Sequence, residues 1–117
     1  MRDVLKQFNN LIIQTDFREL ILPDEYVIRA RIRLRNNSQL IAQEYIFADT
    51  GRTKYSYHWM TESDQLLIRW DDSHHYIFTP TSPHHKHVGS EGNVQPSEPM
   101  TLEKVLAFIA RQLATSD

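Results

Sequence analysis

The chain predicts an α+β fold: a four-strand antiparallel meander, with room for a fifth strand, and an N-terminal and a C-terminal helix packed on one face. Three observations carry the prediction. Between Tyr26 and Asp71 hydrophobic residues recur every second position, with turn residues at regular intervals. At both ends of the chain the period lengthens to that of a helix. The 117 residues, 40% hydrophobic and 24% charged, fit one core and leave no room for a comparable second one, so residues 1–117 read as a single domain.

Taken in order, Val4, Leu5, Phe8, Leu11 and Ile12 stand at helical spacing and predict an amphipathic helix over about residues 2–13. Phe17 to Leu22 fits a strand and a short helix equally, and Pro23-Asp24 ends it either way. From Tyr26, Ile28, Ala30, Ile32 and Leu34 alternate with Arg29, Arg31, Arg33 and Arg35, the pattern of a half-buried strand. Asn36-Asn37 suits a two-residue hairpin turn, which pairs Leu34 with Gln39, Ile32 with Ile41 and Ile28 with Tyr45, and sets Arg29 opposite Glu44. Turns near Asp49-Thr50-Gly51 and Glu62-Ser63-Asp64 bound two more strands and complete the meander over about 26–71. Tyr55, Tyr57, Trp59, Leu66, Ile68 and Trp70 then join the apolar face; Lys54, Ser56, His58, Leu67, Arg69 and Asp71 take the other. Residues 72–99, rich in His, Ser, Pro and Gly, predict a long loop with little regular structure. A final helix over about 102–114 has Thr101 as N-cap, Met100 and Val105 as a hydrophobic staple, and an apolar stripe of Leu102, Val105, Leu106, Ile109 and Leu113.

Composition excludes several function classes. There is no cysteine, hence no disulfide framework, thiolate zinc site or thiol nucleophile. A formal net charge of −2 lacks the overall basic signature of a general nucleic-acid binder, so such contact needs a local basic patch. No apolar run is long enough for a membrane span, and MRDVLKQFNN does not read as a signal peptide. We therefore expect a cytoplasmic protein with no membrane partner, folding alone or as a simple homodimer.

Two groups of residues carry possible chemistry. On the polar sheet face, Arg29, Arg31, Arg33, Ser56, His58, Arg69 and Asp71 stand in neighbouring rows, and arginine suits phosphate because its planar fork donates paired hydrogen bonds. The competing reading is that such arginines serve solubility and ordinary cross-strand pairing. In the His-rich segment, His74 and His75 follow the last strand, and Pro83-His84-His85-Lys86-His87 lies about ten residues on. Histidine gives and takes protons near neutral pH, and a lysine beside it stabilises a pentavalent phosphate. RNA cleavage without a metal needs those parts. The same histidines with Asp71 or Asp72 offer an alternative, a His-bound divalent metal, although their spacing matches no established zinc pattern. A third option is that the histidines only hydrogen-bond backbone carbonyls to organise the loop. Tyr55, Tyr57, Trp59 and Trp70 alternate in phase with the aliphatic residues and read as core rather than as a base-stacking platform.

Tyr55-Ser56-Tyr57-His58-Trp59, Arg69-Trp70-Asp71-Asp72 with His74-His75, the Pro83-His84-His85-Lys86-His87 block and Pro96-Ser97-Glu98-Pro99 occur in an order and spacing that resemble the TumE-like toxin family of prokaryotic toxin–antitoxin modules. The likeness covers approximately residues 26–112. The chain departs from the family pattern at Asp72 and Ser73, where Asn and Pro are usual. The resemblance implies a growth-inhibiting toxin held inactive by a cognate antitoxin protein; if that antitoxin is acidic or carries a helix, charge alone makes the Arg-bearing face its expected landing site. Joined to the residue chemistry, it gives as first expectation a metal-independent endoribonuclease with RNA as substrate and no cofactor. His58, His84 and His85 are the acid–base candidates, Lys86 the transition-state cation, Arg31 and Arg69 the phosphate ligands, and His74, His75, Asp71 and His87 supporting groups. The alternatives are a non-catalytic binding or regulatory protein that acts through its Arg face, and a His-based metal-dependent nuclease.

Overall fold

In the computed structural model, which describes residues 1–73 and 80–115, the chain forms α1 (Arg2–Gln7), β1 (Ile12–Ile21), β2 (Glu25–Leu34), β3 (Gln39–Phe47), β4 (Thr53–Met60), β5 (Leu66–Asp71), β6 (His85–Val88), β7 (Val94–Pro96) and α2 (Leu102–Thr115). The strands make one seven-stranded antiparallel sheet in chain order β1 to β7. Short hairpins explain five of the six pairings, because each strand pairs with the one just made, and the longer connection 72–84 returns β6 to the edge of β5.

The core lies on one face, between the sheet and the helices. Ala30, Ile32, Leu34, Leu40, Ala42, Tyr57, Trp59 and Trp70 meet the whole predicted stripe of α2, with Val4, Leu5 and Phe8 from the N-terminal segment closing one side. Thr101 caps α2 as expected, accepting the Lys104 amide on its hydroxyl at 3.2 Å. Trp59 and Trp70 each meet Phe108 edge-on. Trp59 also donates its indole N–H to Ser38 Oγ at 3.0 Å in the buried interior. Ser38→Ala strands that donor and is expected to destabilise the fold by about 1–3 kcal/mol, read as a lower denaturation midpoint with unchanged slope.

Four sequence expectations are corrected. The first helix stops at Gln7, not residue 13: Asn9-Asn10 favours a turn, and the β-branched Ile12-Ile13 pair opens the ten-residue edge strand β1, which also absorbs the ambiguous Phe17–Ile21. The β2–β3 register is shifted by one. Arg33 faces Gln39, Ile32 faces Leu40, and Arg29 faces Gln43 rather than Glu44. The cause is a three-residue loop in which Asn37 N–H bonds Leu34 O, Asn37 takes a positive φ of 69°, and Leu34 N–H returns to Ser38 O. Between the Trp59–Ile68 and Met60–Leu66 pairs a bulge sets Leu67 apart, and it packs against the core although alternation predicts the open face. Finally, the segment expected to be loop contributes β6 and β7, so the meander has seven strands and not four or five. Their hairpin turns at Gly89, whose φ of 75° an L side chain resists, and Asn93 closes it by donating to Val88 O from its side chain.

Candidate functional site on the open sheet face

The face away from the helices is organised in rows across the strands. One row carries Arg31, Ile41, His58, Arg69 and His87, and the next carries Arg29, Gln43, Ser56, Asp71 and His85. On β6, His85 and His87 are two residues apart and so share a face, with Lys86 turned to the other.

Asp71 is the hub of this cluster. Its Oδ1 lies 2.9 Å from His85 Nε2 and accepts the Ser73 amide at 3.0 Å; its Oδ2 lies 3.7 Å from His87 Nε2 and accepts from Arg69 Nε at 3.2 Å. His85 Nδ1 donates to Pro83 O at 2.9 Å and His87 Nδ1 to Glu91 O at 2.8 Å, because a carbonyl can only accept. With Nδ1 engaged in each ring, Nε2 is directed at Asp71. Both histidines are 0% exposed and Asp71 8%. Arg69 extends past the carboxylate to place Nη1 2.7 Å from the Glu91 carboxylate.

His58 stands beside Arg69, and its Nε2 is buried without a hydrogen-bond partner among the described residues. Burial holds the His58 imidazole below its ordinary pKa, and the neighbouring Arg69 guanidinium pushes the same way. The folded protein therefore binds fewer protons at His58 than the unfolded chain just below pH ~6.5, so this residue costs stability as pH falls through that region. His58→Gln is expected to flatten the decline of the urea midpoint between neutral and mildly acid pH. Parallel curves for the two proteins would remove His58 as a source of acid sensitivity.

An open groove of about 640 Å³ borders the cluster, with Tyr45, Lys54, Ser56, Arg69, Asp71 and Ser73 among its lining residues. Lys54 brings a second cation to a wall already carrying Arg69.

The predicted site residues do not all meet here. His58, Arg69, Asp71, His85 and His87 come together. Arg31 lies on the same face but three strands from Arg69, about 14 Å away, and donates to Gln39 Oε1 at 3.0 Å. Lys86 faces Trp70 across the ladder and borders a hollow with Phe108 and Arg111 beside α2. His84 also lies on the helix side, stacked on Tyr55. Burial pushes the Tyr55 phenol up to about 12, so it keeps its proton; its hydroxyl shares a 2.8 Å hydrogen bond with His84 Nδ1 and accepts from Met100 N–H at 3.3 Å. Lys86 and His84 are thus separated by the sheet from the Asp71 cluster. His74 and His75 lie outside the described residues. Sequence reasoning missed Glu91, whose partners depend on the β6–β7 hairpin, and gave no role to Tyr45 and Lys54, although alternation already placed Lys54 on this face.

Fold and site together define a small α+β protein that keeps a buried His–Asp–Arg cluster, rather than an exposed aromatic platform, on the open face of a meander. The family model described as Toxin TumE matches residues 1–113, and the chain belongs to that family, the toxin component of a toxin–antitoxin module with a cognate antitoxin as partner. No match was found among curated proteins or solved structures. Among the described residues no helix is long and apolar enough to cross a membrane.

Proposed function

We propose that this toxin inhibits growth as an endoribonuclease, with the reacting phosphate seated in the groove bounded by Lys54, Arg69 and Asp71. The observation that carries the reading is that Lys54, Arg69 and Asp71 line one groove on the open sheet face, and that Asp71 in turn contacts the buried His85 behind it. Lys54 and Arg69 offset the charge that grows on the phosphate, and Tyr45 offers a ring on which a base stacks. In the reaction the ribose 2′-oxygen bonds to phosphorus as the bond from phosphorus to the 5′-oxygen breaks. The 2′-hydroxyl proton passes to a base at the Asp71 cluster and the departing 5′-oxygen takes a proton from water. The products are a 2′,3′-cyclic phosphate and a 5′-hydroxyl end.

The test is induced expression of the intact protein and of Lys54→Ala at matched levels, with growth, total RNA and the chemistry of fragment ends examined together. Arrest accompanied by fragments with cyclic-phosphate ends, both relieved in the variant, is the expected result. Arrest with intact RNA would sink the ribonuclease reading. It would favour the second one, inhibition by binding alone, which rests on the exposed Arg18, Arg29, Arg31 and Arg33 of β1 and β2; there Arg→Ala changes should weaken arrest gradually.

A further inference from the structure

We propose that Asp71, His85 and His87 form a binding site for one divalent transition-metal ion of the zinc, cobalt or nickel kind. The strand geometry brings the three together: His85 and His87 share a face of β6, and Asp71 is the cross-strand neighbour of His85 on β5. One ligand atom from each, two imidazole nitrogens and a carboxylate oxygen, all lie within 4.8 Å of one another, and all three residues are buried. His85 Nε2 lies 2.9 Å from Asp71 Oδ1 and His87 Nε2 lies 3.7 Å from the other oxygen, Oδ2, so both imidazole nitrogens converge on one carboxylate.

The surroundings of the rings point the same way. Both Nδ1 atoms are anchored on backbone carbonyls, which fixes the tautomer with Nε2 as the inward-facing ligand atom and makes it more basic. Arg69 Nε and the Ser73 amide orient the carboxylate in turn. The mixed imidazole–carboxylate set selects zinc-like ions over magnesium or calcium, which take oxygen ligands, and three protein ligands leave a coordination position open. Asp71 lines the groove, so an ion here has a route to a phosphate oxygen, which it would polarise. That role rests on the ribonuclease reading; the binding of the ion does not. The competing state is a metal-free ion-pair network in which His85 donates from Nε2 to Asp71.

The experiment uses the purified full chain, stripped with a chelator and titrated with Zn²⁺ by calorimetry and with Co²⁺ by visible absorption, while the ring nitrogens are followed by NMR. One equivalent is expected to bind, moving the Nε2 signals of His85 and His87 and leaving those of His58 and His84 in place. His87→Gln is expected to weaken binding at least ~100-fold and His84→Gln to leave it unchanged. A folded wild-type chain that binds no stoichiometric metal, or one whose metal shifts His84 rather than His85 and His87, overturns the proposal; the wild-type readout decides even if His87→Gln does not fold. Bound metal with intact RNA overturns the ribonuclease reading and supports the site. Cleavage by a protein that binds no metal does the reverse.

Discussion

On the proposed endoribonuclease activity, Arg69→Gln is expected to lower the rate of RNA cleavage by about 10²–10³-fold, the loss that follows removal of one preorganised donor aimed at a charge that grows in the transition state. Arg69 suits that task because its position is fixed before substrate arrives. Nε is tied to Asp71 Oδ2 at 3.2 Å, and the side chain is only 23% exposed, so little reorganisation remains for the moment of reaction. Its other end is held by Glu91, a carboxylate 60% exposed on the β6–β7 turn. On the same reading, a phosphate entering the groove would compete with that carboxylate for the guanidinium, and the solvated Glu91 would be the partner to give way. Two further variants give the prediction direction. Glu91→Gln removes the competitor and is expected to lower KM for RNA. Arg69→Lys keeps the charge without the paired donors and is expected to recover only part of the lost rate. Initial rates on a single-stranded RNA oligonucleotide, with circular dichroism to confirm equal folded fractions, decide the matter. Cleavage by Arg69→Gln equal to that of the intact protein would take Arg69 out of the site.

The parts of this fold that could be read from the sequence are those in which one periodicity dominates. The α2 stripe from Leu102 to Leu113 and the alternation of β2 and β4 each repeat often enough to outweigh local exceptions, and the buried set contains every residue of that stripe. The β2–β3 register depended on a single feature, whether Arg35, Asn36 and Asn37 make a two- or three-residue loop, and both accept Asn at positive φ. Strand β6 was illegible for a different reason. His85 and His87 are inward-facing residues of a buried polar layer, so the alternation of His with Lys and Val shows no apolar period of two. Missing that strand also hid the site's arrangement. In a loop, His84, His85, Lys86 and His87 can gather around one phosphate; in a strand the pleat sends His85 and His87 to Asp71 and Lys86 to Trp70.

Asp71 and Asp72 are adjacent, both acidic and equally eligible in the sequence, yet removing them should have unequal effects. Asp71→Ala is expected to destabilise the protein by about 3–5 kcal/mol, the cost of taking one partner from a buried charged network. The carboxylate contacts Arg69, His85, His87 and the Ser73 amide, and its loss leaves groups that were folded around it in a low-dielectric layer. The effect should fall on β6 first, because that strand, with the short edge strand β7 beyond it, is joined to β1–β5 through β5 and presents two fully buried imidazoles to this acid. Asp72 lies just past the end of β5, and its Oδ1 accepts the Tyr55 amide at 3.1 Å in a half-buried setting. Asp72→Ala removes one hydrogen bond with water available to replace it, so about 1 kcal/mol is expected. Urea midpoints for the two variants, with amide exchange read across residues 85–88, distinguish the cases. If both substitutions cost the same, or if exchange in β6 is no faster in Asp71→Ala, the carboxylate is not what holds this strand in place. The histidines would then owe their position to their other contacts, the Pro83 and Glu91 carbonyls among them.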